Sequence, residues 1–133
     1  MQYFYKKGYC HKLTPEAETL TFRVDASVSA EQIENIVVSS LEGQSTYWLG
    51  LDNTTPEWSN EPDDLPTSQY ATQLLLEGKT LTLYDIEDED EVWKLDLNKL
   101  LKGIGIAMNK GLDITDGCDE VMQYALFGDI VYA

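Results

Sequence analysis

The sequence predicts an α+β fold. It reads as one domain over residues 1–133, with an antiparallel or mixed sheet of about five strands and about four helices mainly on one face. Three features carry this expectation. Segments 19–25 and 80–97 alternate apolar and polar residues with a period of two, as strands with one wet face do. Segments 30–42, 67–77, 96–111 and 117–127 carry apolar residues at helical spacing, with capping residues and glycines at their ends. The pieces run strands, helix, strand, helix, hairpin, two helices, strand, which is the order of an α+β domain and not of a strictly alternating α/β one.

In chain order, residues 2–5 (QYFY) predict a short edge strand, and residues 6–18 predict irregular structure around Pro15. In TLTFRVD, residues 19–25, Leu20, Phe22 and Val24 share one face, with Thr19, Thr21, Arg23 and Asp25 opposite, so the segment predicts a strand. Ser29 with Gln32 fits a capping box, in which each side chain satisfies the other residue's backbone donor. Ile33, Ile36, Val37 and Leu41 then form a buried stripe, and Gly43 is the expected left-handed stop. Residues 46–51 predict a strand. Residues 52–66 hold three prolines and five acids, and so predict a long exposed loop.

Thr67 or Ser68 is the expected cap of a helix burying Ala71, Leu74 and Leu75 and ending at Gly78. The stretch TLTLYDIEDEDEVWKLDL, residues 80–97, predicts a hairpin with an acidic tip over residues 85–91. Asp96 caps a third helix carrying Leu97, Leu100, Leu101, Ile104 and Met108. Gly103 and Gly105 within it mark close packing or a bend, and Gly111 ends it. A last helix buries Val121, Tyr124 and Ala125 and stops at Gly128. Residues 129–133 (DIVYA) predict a closing strand.

Charge bounds the function. With 24 acids and 9 bases the chain carries −15. Residues 1–26 hold four bases and three acids, leaving five bases and 21 acids over the other 107 residues. So negative a field repels a phosphate backbone, so direct nucleic-acid binding is not expected, and it steers the protein towards basic surfaces. The plain alternative is that the acids keep the protein soluble. No apolar run is long enough to cross a membrane, and the N-terminal segment lacks the apolar core of a secretory signal, so a cytoplasmic setting is expected. Cys10 and Cys118 form no CxxC pair and are expected to be free thiols.

No catalytic or metal-binding constellation stands out, so no enzyme, cofactor or metal is expected. His11, the one histidine, follows Cys10 directly, and neighbours in an extended segment point opposite ways. The acidic stretch fails as an EF-hand: Asp90 stands where the turn glycine belongs and Asp96 where a bidentate glutamate belongs. Pairs such as Asp63–Asp64 and Asp119–Glu120 have no companion residue that singles them out for acid–base work.

What the pattern favours is partner binding. The candidate residues are Asp85, Glu87, Asp88, Glu89, Asp90 and Glu91 at the hairpin, with Glu57, Trp58, Glu61, Asp63 and Asp64 in the proline-rich loop extending the same surface. Trp58 is either an exposed anchor or a ring folded onto the core, and Trp48 and Trp93 are expected in the core. A second pattern lies near the N-terminus. Lys6, Lys7, Lys12 and Arg23 beside Tyr3, Phe4, Tyr5 and Tyr9 could hold a nucleotide. Short end strands leave a homo-oligomer open.

The segments IVVSSLEGQSTYW, GKTLTLYDIEDEDEVWKLDLNKLLKGI and VMQYALFGDIVYA resemble a widespread group of small acidic proteins encoded by phages, prophages and conjugative elements. The matching pieces cover about half the chain, and the QYALFG ending is the most specific; the 52–66 loop and Ala133 depart from the pattern. The resemblance implies a mobile-element origin and a host-cell cytoplasmic setting, and brings no known activity or catalytic residue. Taken with the −15 charge, the carboxylate clusters and the lack of a catalytic constellation, the expected role is non-enzymatic counter-defence: an inhibitor that binds a host defence nuclease or other immune effector through an acidic, nucleic-acid-like surface. The alternative is a sponge for a nucleotide immune signal.

Overall fold

A computed structural model describes the backbone of residues 3–6 and 9–12 and, in full, residues 19–133. It contains a two-stranded antiparallel hairpin, β1 (Tyr3–Lys6) and β2 (Tyr9–Lys12). A three-stranded antiparallel sheet follows, of β3 (Leu49–Asp52), β4 (Leu81–Asp85) and β5 (Asp88–Leu95), in the order β3-β4-β5. The helices are α1 (Ala30–Ser39), α2 (Thr67–Leu76), α3 (Leu97–Asn109) and α4 (Cys118–Phe127). The class is α+β as predicted, but the described strands form two small sheets and not one five-stranded sheet.

Period-two alternation sets the sheet. Leu81, Leu83 and Leu95 bury one face against the helices, while Val92 and Lys94 on the other face are exposed. On that outer face the end of the Tyr84 ring lies over Gly50 on β3. A Cβ at Gly50 would run into the ring, so the glycine is a steric requirement of this strand pair. Helices α2 and α4 pack on β4 and β5. Helix α1 packs on α2 and α4, and α3 lies along α4.

Capping is as read from the sequence for two helices. The Ser29 hydroxyl accepts from Gln32 N at 3.1 Å while Gln32 Oε1 accepts from Ser29 N at 2.8 Å, and Asp96 accepts from Lys99 N at 2.8 Å. The start of α2 and the end of α1 differ. Helix α2 starts after Pro66, which stands at the cap position and has no side-chain oxygen to accept a capping bond. Gly43 is not a left-handed stop. Helix α1 runs into a wide π turn over Ser40–Gln44, closed by Ser45 N donating to Ser40 O at 3.0 Å. Gly111 and Gly128 do end α3 and α4 with φ of 76° and 74°.

Three expected strands are corrected. Residues 19–25 take no place in either sheet, and Leu20, Phe22 and Val24 are exposed; alternation makes a strand possible, but a strand also needs a neighbour. Residues 46–48 form a turn, so β3 begins only at Leu49. Residues 129–133 are not a strand either, because a glutamine side chain takes the backbone bonds a neighbouring strand would have supplied.

The two glycines of α3 play different parts. A Cβ on Gly103 would sit 2.6 Å from both Ala125 N and Val121 O, so this residue lets α3 and α4 touch backbone to backbone; Gly105 faces open space. Gly103→Ala should destabilise the fold by about 1–3 kcal/mol, since the helices must part. Gly105→Ala should stabilise it by about 0.5–1 kcal/mol through helix propensity. Chemical denaturation of both variants checks this pair of opposite signs.

Candidate functional site

The acidic hairpin has a shape the sequence did not disclose. Its turn is only Ile86 and Glu87, so Asp88 already belongs to β5. Tyr84 lies opposite Val92, yet the next residue, Asp85, lies opposite Asp88. Glu89, Asp90 and Glu91 therefore have no partners on β4 and form a three-residue bulge. The expected tip of residues 85–91 is corrected to a tight turn followed by a bulged strand. The bulge carries three adjacent carboxylates, all exposed, with exposed Glu87 and Asp88 before it. Like charges repel one another and favour full solvation, which displaces this stretch from a regular ladder. Among the described residues no ion pair reaches it; the one bridge found joins Lys79 to Glu77 at 3.7 Å.

Asp85 is not part of that display. Its Oδ2 accepts the Tyr132 hydroxyl at 2.6 Å and its Oδ1 accepts Glu87 N at 2.8 Å. The Tyr132 hydroxyl, then the Glu87 N–H, hold its carboxyl below the usual range.

The proline-rich loop also needs correction. Pro56–Trp58 form a single 3-10 turn that directs Trp58 inward, where it is 5% exposed and packs on Tyr70 with ring centres 5.5 Å apart. Trp58 is thus a core residue and not an exposed anchor. Glu57 is half-buried, its carboxyl held low first by its own backbone N–H, and half-buried Glu61 accepts the Thr67 hydroxyl at 3.1 Å. Asp63 and Asp64 remain exposed.

Loop and hairpin do not extend one another. Leu49 pairs with Asp85, and Asp52 with Thr82. The chain thus leaves β3 for the loop at the end of the sheet away from the hairpin turn, about 10 Å further along.

The residues that meet most closely are ones the sequence did not single out as a site. Asp119, in the first turn of α4, accepts four side-chain bonds. Its Oδ1 takes the Ser45 hydroxyl at 2.7 Å and Trp48 Nε1 at 2.8 Å; its Oδ2 takes the Tyr47 hydroxyl at 2.6 Å and Gln123 Nε2 at 3.1 Å. A helix N-terminus favours the negative charge there. One turn on, Gln123 Oε1 accepts from Val131 N and Tyr132 N, both at 2.8 Å, and its Nε2 donates to Tyr132 O at 3.0 Å. The tail so held lays the Tyr132 ring flat on Trp48, at 4.7 Å and 10°, with Trp93 and Phe127 edge-on or tilted around them. Desolvation first, and then a carboxylate partner, push the phenols of Tyr47 and Tyr132 up to about 12.

Trp48, Trp93, Gln123, Phe127 and Tyr132 all fall in the three segments that carried the resemblance. Asp119 was visible only as one acid among many.

The Cys118 thiol is buried and free, and burial pushes its pKa up, which disfavours the thiolate a nucleophile needs. His11 and the basic cluster of Lys6, Lys7 and Lys12 lie outside the residues whose side chains are described. Among the described residues no group of three or more metal-ligating side chains gathers, and no helix is long and apolar enough to cross a membrane. Four of the surface hollows, of 280, 230, 290 and 380 Å³, each include at least one Asp or Glu and no Lys or Arg among the described lining residues. Compared with family models, curated proteins and solved structures, the chain matches none.

Two predictions follow the carboxylate contacts. Asp119→Ala leaves four donors without their acceptor and should cost roughly 2–3 kcal/mol, read by urea denaturation. For pH, the folded phenols near 12 lie above their unfolded value of 10.0, so their contribution is complete below pH 10 and lost as pH rises towards 12. Asp85, held low, contributes above the unfolded carboxyl pKa and loses that contribution as pH falls through its folded value. Tyr132→Phe should therefore flatten both the alkaline and the acid limb of a plot of melting temperature against pH.

Proposed function

We propose that this chain is a non-enzymatic accessory protein of a phage or other mobile element that inhibits a host defence protein in the host cytoplasm. Its target would be a nuclease or other immune effector with a basic, nucleic-acid-binding groove. The observation that carries this reading is the bulge of Glu89, Asp90 and Glu91. Three adjacent carboxylates project from a strand whose other end is fixed in the core by Trp93 and Leu95. A rigidly based row of charge suits a groove that normally holds phosphates, and its complementarity speeds encounter as well as holding the complex. The −15 net charge supports the same steering, and the resemblance supplies the mobile-element setting.

In this reading the contact surface is Glu87, Asp88, Glu89, Asp90 and Glu91, all exposed; exposed Asp63 and Asp64 lie in the loop that leaves the other end of the sheet, Trp58 is buried, and Asp85 is bonded to Tyr132. The nucleotide-sponge reading rests on Lys6, Lys7 and Lys12, whose side chains lie outside the described residues.

The test is a binding and inhibition screen against purified defence nucleases. Changing Glu87→Gln, Asp88→Asn, Glu89→Gln, Asp90→Asn and Glu91→Gln together should weaken binding at least about tenfold, and raised salt should weaken the unmodified protein's binding likewise. Changing Asp63→Asn with Asp64→Asn should leave it nearly unchanged. Binding that survives both neutralisation of residues 87–91 and high salt contradicts the electrostatic reading.

A further inference from the structure

The unabsorbed feature of this molecule is the extended segment 19–25. It has the pattern of a strand, takes no place in either sheet, and exposes its large apolar side chains: Phe22 is 82% exposed, Val24 74% and Leu20 54%. The sheet of its own chain offers poor edges. The outer strand β5 is interrupted by the bulge of three unpaired acids, a device that discourages strand addition, and β3 is four residues long.

The segment is, however, complementary to itself. Set two copies antiparallel about Phe22, and Phe22 lies opposite Phe22 and Leu20 opposite Val24. All six apolar side chains then share one face. On the other face Thr21 lies opposite Arg23 and Thr19 opposite Asp25, so no like charges are opposed. Such a contact is isologous and closes after two copies.

We propose that residues 19–25 form the homodimer contact of this protein, pairing antiparallel with the same segment of a second copy around Phe22. A dimer carries the acidic bulge twice, which would raise avidity for a target with two sites. Because each copy carries −15, the charge of the two bodies opposes association, and screening should favour the dimer.

The experiment uses the full chain with Cys10→Ser. Directly opposed residues in an antiparallel pair have Cα atoms roughly 4.5–5.5 Å apart, within disulfide range, whereas two copies of residue 25 would lie about 20 Å apart. Phe22→Cys should therefore form the interprotomer disulfide at least about tenfold faster than Asp25→Cys. In sedimentation, the unmodified chain should approach twice its 15.0 kDa with rising concentration, more readily at higher salt. Phe22→Asp should weaken that dimer at least about tenfold without changing the melting temperature of the core, since the side chain is exposed. A chain that stays monomeric, equal cross-linking at the two positions, or a dimer that dissociates with salt overturns the proposal.

Discussion

The structure depends most on one carboxylate. Asp119 stands in the first turn of α4, where the helix dipole favours its charge, and takes bonds from Ser45, Tyr47, Trp48 and Gln123. These four donors come from the turn that delivers β3 and from α4 itself. The wide π turn at the end of α1 is part of the same arrangement. It brings Ser45 to Asp119, and the buried Ser40 hydroxyl donates to Cys118 O at 3.2 Å. The carboxylate thereby sets how the sheet enters against the helices. Four bonds to an ionised acceptor outweigh an ordinary neutral contact, where each net bond gives only about 1 kcal/mol.

From that lock the rest follows outward. Gln123 lies one turn along α4 from Asp119 and donates to it, so its amide is oriented to bind the tail. The tail then carries Tyr132 across Trp48 and puts its hydroxyl on Asp85 at the end of β4. Asp85 also accepts Glu87 N and so fixes the hairpin turn. A chain of contacts thus runs from the helix layer through the stacked rings to the base of the acidic bulge. The bulge is left out of the ladder, but what it grows from is held on several sides.

Legibility of the sequence followed the range of the interaction. Helix ends set by neighbouring residues could be read: the Ser29–Gln32 box, the Asp96 cap, and the turns at Gly111 and Gly128. The apolar stripes and the central pairing of Leu81, Leu83, Trp93 and Leu95 were equally plain. Features settled by distant residues were not. Nothing local distinguishes residues 19–25, which lack a neighbour, from Leu81–Asp85, which has two. DIVYA reads as a strand until Gln123 takes its backbone bonds. Trp58 could point either way until the turn at Pro56 and the Tyr70 ring decide it. The acidic cluster was obvious as composition, but its bulge depends on a register shift that no residue announces.

The claim that a side-chain lock, and not strand pairing, fixes the tail and through it the hairpin base is open to a direct measurement. Amide hydrogen exchange by NMR should show Val131 and Tyr132 exchanging nearly as slowly as the buried turns of α4, although they lie outside any strand, and exchanging freely in Gln123→Ala. Fast exchange at these two amides in the unmodified protein, or protection that survives loss of the Gln123 amide, would contradict it.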